Sequence, residues 1–245
     1  LDLGFRIVSG SATDPTSTLQ TFTGDFTFKS IFLDQAYVKY HPSFLEENIP
    51  YLEKAEVGGG KVENPFFENS GGLLWDADVM PEGFYESLAF GFFDKKLKPF
   101  VNLGQFILQE SAATPSDAEL YGVQAGVRWN PPGLAKDSQV QLTHALSYLD
   151  YSDYAHSSNF LVSGTSLARG NTVAGSGTAL SAGDFNILQI YNDVKFKVGG
   201  LPVKLFSDVF TNLSDQTPDP DDRSVGYQYG LRLGEARKKG NWEAL

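Results

Sequence analysis

From Tyr121 to Trp129 apolar and polar residues alternate without a break. Tyr121, Val123, Ala125, Val127 and Trp129 share one face of an extended strand, while Gly122, Gln124, Gly126 and Arg128 share the other. Val225 to Gly234 repeats the pattern: Val225, Tyr227, Tyr229, Leu231 and Leu233 alternate with Gly226, Gln228, Gly230 and Arg232. So do the first residues, with Leu1, Leu3, Phe5 and Ile7 against Asp2, Gly4, Arg6 and Val8. Less regular stretches predict further strands over 31–41, 53–61, 83–92, 99–109, 139–150, 186–198 and 202–212. Within them Lys54, Glu86 and His144 fall on the apolar side of the alternation and Phe206 on the polar side. Either a bulge shifts the register there or those residues lie near a rim.

A strand of a soluble sandwich alternates too. Two details favour a membrane. Aromatics flank the apolar stripe, as an interfacial belt requires. The opposite face carries Gly and Gln with a single Arg, which suits a water-filled lumen better than a solvent-facing sheet rich in Lys and Glu.

The connections alternate in length. Short ones are 93–96, 130–133 with its neighbours, 199–200 and 234–239; long ones are 11–30, 62–81, 110–118, 151–184 and 213–223. Outer-membrane barrels have short periplasmic turns and long external loops. The prediction is an all-β chain: a transmembrane, antiparallel, up-and-down β-barrel of about ten strands, with 241–245 starting another. Residues 1–245 form a single domain, and 151–184 is a long extracellular loop. Residues 1–10 then run outward. The chain opens as if in mid-strand, and the expectation is a mature chain trimmed at both ends, with further strands past Leu245.

Composition narrows the function more than the fold. No run of eighteen apolar residues occurs, so a helical span is excluded. There is no cysteine, so thiolate catalysis and disulfide staples are excluded. Thirty acidic residues against nineteen basic ones give a formal charge of -11, and Arg237-Lys238-Lys239 is the one basic cluster, which argues against nucleic acid. The 13% of aromatic residues can supply interfacial girdles. The Gly- and Ser-rich stretch 151–184 lacks the following helix and Lys of a phosphate cradle. His41, His144 and His156 have no Gly-x-Ser-x-Gly elbow near them, and no enzyme is expected.

Four groups of residues carry a family likeness. They are Gly4–Gly10 leading into Thr13–Thr18, Phe32–Tyr40, Gly59-Gly60-Lys61 leading into Asn64–Phe67, and Leu74–Asp78 leading to Glu82-Gly83. Leu120–Gly126 adds to them. The chain resembles the bacterial putative porin family, large outer-membrane barrels of Gram-negative bacteria. The resemblance implies a barrel of roughly sixteen strands or more, a bacterial outer-membrane location and passive diffusion of small polar solutes and ions. It also implies a lipid bilayer and lipopolysaccharide as surroundings, a homo-oligomer (a trimer), and no cofactor.

A porin does no bond chemistry, and its selectivity comes from the width and charge of its constriction. The candidate constriction is 62–81. Phe66, Phe67, Leu73, Leu74 and Trp75 have little reason to stay in water, and packed on an inner wall they would present Asp76, Asp78 and Glu82 to the passage. The plainer role for Asp76 and Asp78 is turn capping. Inward Arg6, Lys39, Lys61, Arg128 and Arg232 would line the wall, either opposing the acids across a transverse field or each pairing with a carboxylate. The net charge and the acidic segment 62–81 predict a mild cation preference. No metal cage is expected from Asp76, Asp78 and Glu82, which lack the spacing of a calcium loop; Asp219, Asp221 and Asp222 offer at most weak divalent binding. The alternative function is a soluble or surface-exposed β-sandwich binding carbohydrate through Trp75 and tyrosines.

Overall fold

A computed structural model of the chain describes residues 1–10, 17–19, 28–66, 74–110, 117–133, 139–153, 173–174, 179–180, 185–214, 224–236 and 240–245. Its strands are β1 (Asp2–Val8), β2 (Phe32–Tyr40), β3 (Leu52–Lys61), β4 (Glu82–Phe90), β5 (Leu97–Gln109), β6 (Ala118–Trp129) and β7 (Gln141–Ser152). They continue with β8 (Val173–Ala174), β9 (Ala179–Leu180), β10 (Phe185–Val198), β11 (Leu201–Asn212), β12 (Val225–Gly234) and β13 (Glu243–Ala244). Eleven of them form one antiparallel sheet in chain order, with β7 paired directly to β10 across the connection that holds the separate β8–β9 pair. The predicted strands and up-and-down order are therefore present. The ring is not: β1 and β13 are the two ends of the sheet and do not pair.

The two-residue turn Gly199-Gly200 joins β10 to β11, and both glycines have positive φ, +56° and +84°. That backbone, which side chains with a Cβ rarely adopt, lets the two long strands fold back in register. The alternation does not predict one element, helix α1 (Ser43–Asn48), in the connection from β2 to β3. Pro42 precedes it with φ already near the helical value, and Glu46 accepts the Ala55 amide at 3.0 Å, tying the turn to β3.

Period-two alternation gives the sheet an open face and a covered face. Val123 is 41% exposed and the next residue, Gln124, 0%. Leu3, Phe5, Leu146, Tyr229 and Leu231 join Val123 on the open face. This inverts the soluble arrangement, since the exposed side is apolar and polar side chains are buried on the other.

The covered face is packed by pairing glycines with aromatic rings. Gly4 lies opposite Tyr37, Gly58 opposite Tyr85, Gly126 opposite Phe100, and Gly226 and Gly230 opposite Phe210 and Phe206. In each pair a Cβ on the glycine would fall within 2.5 Å of the ring. The ring lies flat over its bare neighbour, so a wall of large residues stays thin. This explains Phe206, whose inward position looks anomalous in the sequence: it covers Gly230. Of the other exceptions, Lys54 sits at a register shift between Leu52 and Lys54 and pairs with Glu56 at 3.2 Å. His144 stays on the open face and bonds its cross-strand neighbour Asn192 at 2.7 Å. Glu86 also stays there, between Val57 and Leu103, with no register shift beside it and no ion pair among the described residues.

Candidate pore wall

The covered face is layered along the strands. Nearest the long connections, Tyr85, Phe106, Leu120, Leu149 and Ile187 form an apolar cluster. The next layer is polar: Glu56, Ser87, Asn102, Gln124, Ser147 and Gln189 are cross-strand neighbours on β3, β4, β5, β6, β7 and β10. Ser87 Oγ donates to Asn102 Oδ1 at 2.8 Å, Asn102 Nδ2 to Gln124 Oε1 at 3.1 Å, and Gln124 Nε2 to Ser147 Oγ at 2.8 Å. Gln189 Nε2 donates to both oxygens of Asp208, at 2.9 and 3.1 Å. Tyr85 Oη donates to Glu56 at 2.8 Å. Below comes an aromatic layer containing Phe100 and Tyr191, and then a charged one with Lys98, Arg128 and Asp193.

A buried amide is tolerated only while its bonds are made. Gln124→Leu leaves the Asn102 amide without its acceptor and Ser147 without its donor. It is expected to destabilise by about 1–3 kcal/mol, read by urea unfolding in detergent micelles. Were this face an ordinary apolar core, the same change would be neutral or stabilising.

The wall residues expected from the sequence fall as follows. Arg6 is inward and its Nε pairs with buried Asp34 of β2. Lys39 lies 4.8 Å from the Tyr37 ring, and Arg128 lies 5.2 Å from that of Phe100. Arg232 Nε is 3.4 Å from Glu243. Lys61 differs from the expectation. By register it shares the face of Val38, Val57 and Phe84, at the very end of β3, and it bonds Glu82 at 2.8 Å and the Met80 carbonyl at 3.2 Å. Lys61, expected on the wall, and Glu82, expected at the constriction, thus form an ion pair at the strand ends. The reason is that no register shift separates them from Val57, so the alternation carries through. Arg6 and Asp34 follow the simpler pattern of pairing; the structure does not group the basic residues into one array facing the acids.

Connection 62–81 lies on the covered face where it is described. Val62 and Phe66 are buried in the apolar cluster, with Leu74 and Trp75 packed against it. The Phe66 ring meets Phe106 edge-on, centroids 6.2 Å apart, above Gly104 and Gly122, where a Cβ on Gly122 would come within 2.1 Å of it. Asp76 is exposed and its Oδ1 caps the turn by accepting the Asp78 amide at 2.8 Å. Asp78 accepts the Thr18 amide at 3.4 Å. Phe67, Gly71, Gly72 and Leu73 lie outside the described residues, as do most of 151–184 with His156, the acidic run 215–223, and 237–239. Among the described residues no three His, Asp or Glu side chains are placed to hold a metal ion.

The amide ladder was missed by the sequence reading. Asn102, Gln124 and Gln189 each stand at polar phases of strongly alternating strands, which is a usable signal, but their alignment depends on register.

No curated relative and no solved structure matches the chain. A family model described as putative porin matches residues 1–204, which takes in the strands from β1 to β10 and the start of β11. With an apolar face turned outward and a polar face covered, and with that match over most of its length, the chain belongs to the putative porin family.

Proposed function

We propose that the sheet is part of a closed transmembrane barrel of roughly sixteen strands or more, standing in the bacterial outer membrane as a passive pore for small polar solutes and ions. One observation carries this reading: the exposed face is mostly apolar, with Glu86, His144 and the strand-end pair Lys61 and Glu82 as exceptions, whereas the buried face carries the amide ladder and the buried carboxylates Asp193 and Asp208. Lipid would cover the first, and water would fill the space behind the second. The covered face becomes the lumen wall, and 62–81, docked on it, narrows the passage. Membership in a porin family points to a channel and away from an enzyme. A sandwich needs a second sheet over an apolar interior; here the apolar side is uncovered and the other described sheet has two strands.

Around the long-connection end lie Asp34, Asp76, Asp78, Glu82, Glu119 and Asp150, against Arg6, Lys29 and Lys61. That excess of carboxylates favours cations, as does the formal charge of -11. Single-channel recording of the full-length protein in planar bilayers tests both parts. Under a KCl gradient the reversal potential should show a mild cation preference, fading at ~1 M salt as screening shortens to about 3 Å. Replacing Asp76 and Asp78 together by Asn should move the permeability ratio toward unity. A clear anion preference, or no conductance, would refute the proposal.

A further inference from the structure

We propose that the wall carries, at its short-turn end, a binding site for a small dianionic oxyanion of the phosphate type, built on Lys195 and Lys204. Four side chains stand there in one cross-strand row. Gln141 of β7 is opposite Lys195 of β10, Lys195 opposite Lys204 of β11, and Lys204 opposite Arg232 of β12. Like charges directly opposite on adjacent strands repel. Arg232 has Glu243 3.4 Å from its Nε, so the repulsion falls on Lys195 and Lys204, and an anion between those two would relieve it.

The protein's own carboxylate falls short of doing so. Asp193 is fully buried beneath the row, and its Oδ2 lies 4.0 Å from each ammonium. A charge-assisted N–H···O bond is about 2.7–2.9 Å long, and that oxygen instead takes the Tyr191 hydroxyl at 2.8 Å. Asp193 thus lowers the local potential without taking up the lysine donors. Neither ammonium bonds an acceptor among the described residues. Lys204, only 16% exposed, holds its ammonium 5.7 Å from the ring centre of Tyr191 and 5.5 Å from that of Phe206. Elsewhere on the short-turn side the sheet does supply close partners: Glu53 meets Lys95 and Lys98 at 3.1 and 3.0 Å.

The row borders a cavity of about 740 Å³ whose described lining holds five cations, with Lys96 and Lys197 added, against Glu235 and Glu243. Its sign is opposite to that of a chain with formal charge -11. Two lysines opposite each other on adjacent strands, with Gln141 next in the row and all three lining the cavity, suit an anion with oxygens on several sides and two charges, and suit a halide poorly.

The inference rests on the pore reading only for the route by which the anion arrives, and its test is independent of current. The full-length protein in an uncharged detergent is titrated with inorganic phosphate by calorimetry at low ionic strength, and phosphate is added to the conducting pore in a parallel arm. Saturable binding is expected, weakened about tenfold by Lys204→Gln or Lys195→Gln, retained by Lys204→Arg, and unaffected by Lys29→Gln. Absence of saturable binding in the unaltered protein overturns the site whatever the variants do. Equal affinity in Lys204→Gln overturns it too, as does competition by chloride at the same strength. Binding without conductance would spare the site and end the pore; conductance without phosphate binding would do the reverse.

Discussion

Val123→Arg is expected to lower the stability of the protein folded into phospholipid vesicles by about 2–4 kcal/mol, the penalty of a charge facing lipid near mid-depth. Val123 is central in β6, 41% exposed, and flanked on the open face by Leu103 of β5 and Tyr148 of β7. The matching control is Gln228→Arg, which adds the same charge to the covered face of β12, opposite Asp208 of β11. That change should cost little, because a lumen hydrates it. Urea titration of folding into vesicles, followed by the altered gel mobility of the folded form, gives both values. Equal costs would mean that the open face does not meet lipid, and the pore reading would lose its foundation. In detergent alone the difference should shrink, since a micelle adapts to a single charge more easily than a bilayer.

The strands were legible because β6 and β12 alternate so cleanly that their faces could be assigned residue by residue. The order followed from the alternation of short and long connections, since a two-residue turn such as Gly199-Gly200 can only join neighbours. What stayed hidden depended on register. Nothing in the sequence aligns Ser87, Asn102, Gln124 and Ser147, or sets Lys195, Lys204 and Arg232 abreast, because a slip of two residues would keep every face and break both rows. Phe206 looked misplaced for the same reason: its partner Gly230 lies on another strand. Lys61 went the other way. Named among the inward basic residues, it follows the unbroken pairing of β3 with β4 onto the other face. Helix α1 is too short for any hydrophobic period to register. A cluster of apolar residues between two strands signalled docking, and Val62, Phe66, Leu74 and Trp75 do pack on the covered face. The turn-capping role of Asp76 is equally visible.

Phe66→Ala should release that docking. Phe66 is 7% exposed, its ring is wedged between Phe106 and the bare backbone of Gly104 and Gly122, and truncation of such a side chain costs about 3–5 kcal/mol. Among the described residues, the other contacts of the connection with the apolar cluster come from Val62, Leu74 and Trp75, so the loss falls on the segment more than on the sheet, whose strands pair without it. The expected outcome is a larger single-channel conductance, faster cleavage within 62–81 by added protease, and an almost unchanged thermal transition of the sheet. Cation preference should fall in the same variant, because Asp76 and Asp78 leave with the segment. Gly122→Ala approaches the same state from the wall: its new methyl would stand 2.1 Å from the Phe66 ring and push it off its seat. Agreement between the two variants would tie conductance to the seat itself, whichever partner is changed. Unchanged conductance in both would show that 62–81 does not narrow the passage, and the selectivity assigned to its carboxylates would then have to come from the wall.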